Sequence, residues 1–173
     1  MRHLLLVFTC MMLFPLAATQ AQEISLSELK NLRSKAVAEV QNVLYQKGFS
    51  LYRTWRDDDL KQDSVIYRNA QGHLLGTIHV KNTSKNRIFL ELPDPAFYEQ
   101  TLDALKKADY RLLKTEVGKN NTLTNSYIRP QSKELVQVII SNDPESANNG
   151  NSYRLLIRPQ ENKGLRKKIL GNN

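Results

Sequence analysis

Cysteine and histidine are scarce in this chain. The 173 residues include one cysteine, Cys10, so no disulfide framework and no cluster of thiolate ligands can form within the chain. Of the three histidines, His73 and His79 lie six positions apart. On one strand that separation corresponds to about 20 Å, too far for both rings to bind the same ion. The sequence therefore predicts neither a metal site nor a cofactor.

Motifs for phosphate binding and nucleophilic catalysis are also missing. The seven glycines are dispersed, so no glycine-rich loop is formed, and no Gly-x-Ser-x-Gly elbow occurs. Asp57, Asp59 and Asp63 have part of the spacing of a calcium loop. The central glycine and the closing glutamate of such a loop are absent, which favours a solvated acidic turn. These absences predict a non-enzymatic protein, and a small hydrolase with an unrecognised site is the remaining enzymatic alternative.

One long apolar run is present, from Leu4 to Leu16, and no second one follows it. Arg2 and a histidine precede the run, and Thr19-Gln20-Ala21 supplies small residues at the spacing that signal peptidase prefers. The run is too short for a membrane span. We therefore predict a signal peptide at residues 1–21, a periplasmic or secreted mature chain, and no transmembrane segment.

The charge balance is basic, with a formal net charge of +8. Such a charge favours anionic partners, although scattered lysines and arginines are also typical of a soluble surface. We expect no nucleic-acid partner and at most weak contact with an anionic surface.

The sequence contains an internal repeat. A shift of 61 residues places residues 47–54 on 108–115, Arg68 on Arg129 and Ile78 on Ile139. With five more residues of shift, 90–93 fall on 156–159. Self-similarity of this kind predicts a repeat architecture. The predicted organisation is repeat unit 1 at residues 22–93, repeat unit 2 at 94–159 and a basic tail at 160–173.

Each unit is predicted to contain one helix followed by four strands. A capping box at Ser25 and Glu28 begins the first helix, and Asp94 followed by Pro95 begins the second. Alternating residues and turn signals then predict strands at Phe49–Trp55, Ser64–Asn69, Leu74–Val80, Arg87–Leu92, Tyr110–Glu116, Leu123–Arg129, Leu135–Ser141 and Ser152–Arg158. The fold class that follows is α+β. It is a tandem duplication of a helix plus a four-stranded antiparallel meander, with both helices on one face of a shared sheet.

Strand alternation also suggests which side chains the helices leave uncovered. In the strand from Leu74 to Val80, the even-numbered positions share one face and Leu75, Thr77 and His79 share the other, and we assign the second set to the uncovered face. The uncovered face is then apolar and is predicted to bind a protein partner or a second copy of the chain, unless a loop, the tail or curling of the sheet covers it. Its residues are Tyr52, Leu75, Phe89, Leu113, Val136, Val138, Ile140 and Leu155, with Trp55 as a further contact anchor at a strand end.

Arginines recur at corresponding positions of the two units. A basic band across the sheet is predicted from Arg53 and its counterpart Lys114, Arg68 and its counterpart Arg129, and Arg87, Arg154 and Arg158. With the basic tail, this band gives the alternative function, binding of an anionic lipid, a glycan or an acidic partner. Charges that prevent edge strands from aggregating would have the same pattern.

Overall fold

The computed structural model describes residues 24–80, 86–92, 94–119, 122–130, 132–142 and 151–160. Most of the predicted basic tail and the whole predicted signal peptide lie outside these ranges. Among the described residues, the helices are α1 Leu26–Arg33, α2 Val37–Gln46 and α3 Pro95–Lys107. The strands are β1 Phe49–Asp57, β2 Gln62–Asn69, β3 Leu74–Val80, β4 Arg87–Leu92, β5 Arg111–Val117, β6 Leu123–Ile128, β7 Glu134–Asn142 and β8 Asn151–Pro159.

The strands form one antiparallel sheet in the order β1-β2-β3-β4-β8-β7-β6-β5. Two four-stranded meanders therefore meet where β4 pairs with β8, and β1 and β5 are the two edge strands. The predicted α+β class with an antiparallel sheet is confirmed. No helix in the described part of the chain is long and apolar enough to cross a membrane.

The helix starts follow the local sequence. The Ser25 hydroxyl accepts the backbone N–H of Glu28, while the Glu28 carboxylate accepts the backbone N–H of Ser25 at 2.9 Å. The Asp94 carboxylate accepts the backbone N–H of Phe97 at 2.8 Å, and Pro95 occupies the first helical position. Each cap satisfies donors that have no partner within the helix.

The prediction of a single helix in the first unit is wrong, because the helix is broken between α1 and α2. The backbone N–H and the hydroxyl of Ser34 both donate to the carbonyl of Asn31, at 3.2 and 2.8 Å, which closes α1. Ala36 is extended, with ψ at 154°, and α2 begins at Val37. Serine competes for backbone groups in this way more readily than aliphatic residues do. Both segments still bury apolar side chains, Leu29 and Leu32 in the first and Val40 and Leu44 in the second.

The core joins the helices to one face of the sheet. Buried helix residues Leu29, Leu32, Val40, Leu44 and Leu105 form a single cluster with alternating strand residues. We call the sheet face that carries these strand residues the core face; they include Tyr67, Leu75, Ile88, Leu90, Val136, Val138, Leu155 and Ile157. Burying one such aliphatic side chain contributes about 1.5–3 kcal/mol.

The predicted uncovered face is therefore wrong at its centre. Leu75, Val136, Val138 and Leu155 were expected to be exposed, but they are buried on the core face. Alternation separates the side chains of a strand into two sets without saying which set the helices cover. In β7 both sets are apolar, so the pattern there gave no preference. Ile140 shares the core-facing set and is half-buried.

One ion-pair cluster connects α1 to the second meander. Arg33 Nη2 lies 2.9 Å from Glu134 Oε1, and Lys30 Nζ lies 3.2 Å from Glu134 Oε2. Arg33 also donates to the carbonyl of Asn86 at 3.2 Å. These side chains are mostly buried, so the charged hydrogen bonds hold the helix over both meanders.

Candidate functional site

The sheet face opposite the core face carries most of the strand arginines. Side chains of directly paired residues in an antiparallel sheet point to the same face, as do residues two apart along a strand. The observed register places Arg53, Arg68, Arg87, Arg154 and Arg158 together on this face. We call it the arginine face.

Phe89 lies at the centre of the arginine face. It pairs with Gly76 on one side, and a Cβ atom at position 76 would overlap its ring, so the ring rests on the glycine backbone. Phe89 was expected to be exposed but is buried, and the Arg154 guanidinium lies 4.9 Å from its ring centroid, within cation–π range. Arg154 Nε donates to Glu91 at 2.7 Å. The guanidinium is thus held in place between an aromatic ring and a carboxylate.

A second arginine is positioned by buried polar side chains. Arg158 Nε donates to Gln137 Oε1 at 2.9 Å, and Gln137 Nε2 donates to Ser126 Oγ at 3.1 Å. Gln137 and Ser126 are buried, so the amide orientation is fixed by this chain of hydrogen bonds. Gln137, Ser126 and Gly76 belong to no sequence motif and were not predicted as part of the site. A glycine inside a strand is the signal that points to close contact at position 76.

Exposed aromatic side chains lie towards the β1 edge of the same face. A bulge between Leu51 and Arg53 leaves Tyr52 and Arg53 opposite Ile66, and the Arg68 guanidinium lies 5.5 Å from the Tyr52 ring centroid. Tyr52 is 56% exposed and Trp55 is 44% exposed. In β5 the corresponding bulge contains Leu113, which is half-buried. Tyrosine, tryptophan and arginine are the residue types most enriched in binding hot spots.

The electrostatic character of the arginine face is positive. Among the described residues its carboxylates are Asp57, Glu91 and Glu116, by the same register. Glu91 is bonded to Arg154, and Glu116 lies 2.8 Å from Lys114 Nζ. Because arginines outnumber carboxylates here, the face favours an anionic partner.

Arg129 does not belong to this face. It follows the end of β6, and its guanidinium lies 5.8 Å from the ring centroid of Tyr110, a member of the core cluster. There it lines an open polar cleft with Lys107 and Asp109. Arg129 was grouped with Arg68 because a 61-residue shift aligns them. The register pairs Ser50 with Arg68 and Arg111 with Ile128, so the position that matches Arg68 is Ile128.

The described residues around His79 do not form a candidate hydrolase site. His79 Nε2 lies 3.2 Å from Thr77 Oγ1, and His79 pairs with Asp63. A nucleophile must reach its substrate, but Thr77 is buried on the core face, and Asp63 accepts from Arg56 at 2.9 Å. In the described ranges no group of histidine, cysteine and carboxylate side chains is placed to hold a metal ion.

His79 is expected to make stability depend on pH. Burial lowers the pKa of His79, and the charge of Asp63 opposes part of this shift. Because the folded-state pKa lies below the unfolded value of 6.5, the unfolded chain binds the proton first as the pH falls. The free energy of unfolding is therefore highest above pH 6.5 and decreases as the pH falls below this value. Urea midpoints at about pH 7.5 and about pH 5.5 should fall further for the natural chain than for His79→Asn; equal losses would contradict this assignment.

Comparisons with protein-family models, curated proteins and solved structures find no match. The candidate site accordingly rests on the geometry of this chain alone. What that geometry provides is a positive face with two positioned arginines and exposed aromatic rings at one edge.

Proposed function

We propose that this chain is an exported, non-enzymatic binding module that engages an acidic protein partner through the arginine face. The observation that carries the proposal is the Phe89–Arg154 centre, in which an exposed guanidinium is held in one position by an aromatic ring and by the Glu91 carboxylate. A guanidinium that is already ordered loses less conformational entropy on binding than a mobile one. The exposed rings of Tyr52 and Trp55 supply apolar contact area beside it.

The same proposal includes a tandem duplication with all helices on the core face, so that no described helix lies on the arginine face. Two irregularities support the duplication. The pairing register shifts between Leu51 and Arg53 in β1, and it shifts again between Leu112 and Lys114 in β5. Each residue of the second pair lies 61 positions after its counterpart in the first pair. The strand order is also the same in each half when it is read from the outer edge inwards.

A protein is favoured over a lipid or a glycan because of the kinds of side chain involved. Guanidinium groups recognise carboxylates through paired hydrogen bonds, and aromatic rings beside them are typical of protein interfaces. Ile66, Ile78 and Leu156 lie half-buried on the arginine face and give it an apolar component. Binding to an anionic surface through charge alone would not need this component.

Charge reversal on the arginine face is expected to weaken binding to a polyglutamate peptide. The test variant is Arg53→Glu with Arg68→Glu, both exposed in the structure. The matched control reverses Lys106 and Lys107, which lie at the end of α3. Isothermal titration should show affinity at least about tenfold lower for the test variant, because attraction becomes repulsion at the site. The control should stay near the natural chain.

Two outcomes would contradict the proposal. An equal loss of affinity in both variants would show that net charge, and not the arginine face, governs binding. Binding to heparin or to anionic lipid vesicles, with no binding to polyglutamate, would favour a glycan or lipid partner instead. Equal thermal midpoints for both variants serve as the folding control.

A further inference from the structure

β5 is an edge strand with backbone groups directed away from the sheet. The backbone N–H of Gly118 donates to the carbonyl of Thr122 at 2.7 Å, which continues the pairing of β5 with β6. Hydrogen-bonded and non-hydrogen-bonded pairs alternate along an antiparallel ladder. The N–H and C=O groups of Thr115 and Val117 therefore point outwards, where a further strand can accept and donate.

The sequence of β5 is complementary to itself in the antiparallel sense. In a two-fold pair centred on Thr115, Lys114 of one copy lies opposite Glu116 of the other, and the reverse pair forms as well. These would be the non-hydrogen-bonded positions of the new ladder, where paired side chains are closest. Within one chain Lys114 Nζ already lies 2.8 Å from Glu116 Oε1, so pairing would give each charge a second neighbour of opposite sign.

The exposed apolar side chains of β5 fit the same pairing. Leu112 is 57% exposed and Val117 is 79% exposed, and both lie on the core-face side near opposite ends of the strand. Two-fold pairing about Thr115 places Val117 of one copy opposite the bulge at Leu113 of the other, next to Leu112 on the core-face side. The single chain thus leaves two apolar side chains in water that a second copy can cover.

We propose that β5 pairs antiparallel with β5 of a second copy of this chain, so that the dimer has one continuous sheet. The symmetry is closed, because the same edge is used on both sides. Paired strands keep corresponding faces on the same side, so both arginine faces would be presented in one direction. In β1 the equivalent pairing, centred on Thr54, would place Trp55 and not a carboxylate opposite Arg53. The inference does not rest on the proposed partner.

Charge variants test this pairing by sedimentation velocity over a range of concentrations. The natural chain should dimerise, whereas Lys114→Glu and Glu116→Lys should each raise the dimer dissociation constant at least about tenfold, because like charges then face each other. An equimolar mixture of the two variants should regain the dimer, since one strand is then acidic and the other basic. Arg53→Glu on the opposite edge should dimerise like the natural chain.

The mixture also controls for folding, because only folded variants can recover the complementary edge. A natural chain that remains monomeric at roughly 100 μM would overturn the proposal. So would single variants that dimerise like the natural chain, or a mixture that fails to regain the dimer.

Discussion

Replacing Val138 with lysine is expected to abolish folding. Val138 is 0% exposed on the core face, where it pairs with Leu155 and Asn125 in the two neighbouring strands. A buried ammonium without an anionic partner costs several kcal/mol, which is comparable with the whole stability of a domain of this size. Thermal scans of the variant by circular dichroism should show no cooperative transition.

Two further substitutions separate burial from the identity of the new residue. Val138→Ala should cost about 2 kcal/mol, because it removes apolar contacts without burying a charge. Leu60→Lys, at an exposed position between β1 and β2, should change the stability by less than about 0.5 kcal/mol. If the Val138→Lys variant melts at the same temperature as the natural chain, Val138 must be exposed, and the assignment of the core face is wrong.

Replacing Gly76 with valine is expected to destabilise the chain by about 1–3 kcal/mol. The new side chain would occupy the position of the Phe89 ring, which is itself buried and covered by Arg154. The ring must leave the centre of the arginine face, and its contact with the guanidinium is lost. A fall of roughly 3 °C in the melting temperature per kcal/mol is expected for a chain of this length.

A double-mutant cycle with Phe89→Ala tests the reason for this effect. If the valine acts by displacing the ring, the double variant Gly76→Val/Phe89→Ala should be less destabilised than the sum of the two single variants. Equal melting temperatures for Gly76→Val and the natural chain, or strictly additive losses in the cycle, would contradict the close packing of Gly76 against Phe89.

Strand positions could be predicted from sequence because their signals are local. The bounds Leu74–Val80 and Arg87–Leu92 agree with the structure, since turn residues flank each segment. The break before Val37 was missed, because the apolar spacing from Leu29 to Leu44 continues through it. A helical pattern does not show where a serine closes one helix early.

The face covered by helices could not be predicted, because it depends on contacts between distant segments. Leu75 and Leu74 are equally apolar, and only packing against the helices distinguishes them. The contact of Phe89 with Arg154 likewise requires the register between β4 and β8, which no local pattern specifies. Five of the six predicted band arginines, all except Arg129, nevertheless share one face in the observed register.

An NMR titration of the chain with polyglutamate peptide directly tests whether the arginine face binds an acidic partner. Trp55 is the one tryptophan in the sequence, so its indole signal reports the arginine face without ambiguity. We expect this signal and the side-chain signals of Arg53, Arg68 and Arg154 to shift together and to saturate at one affinity. Shifts centred on Lys106 and Lys107 at the end of α3, with the Trp55 indole unchanged, would contradict it.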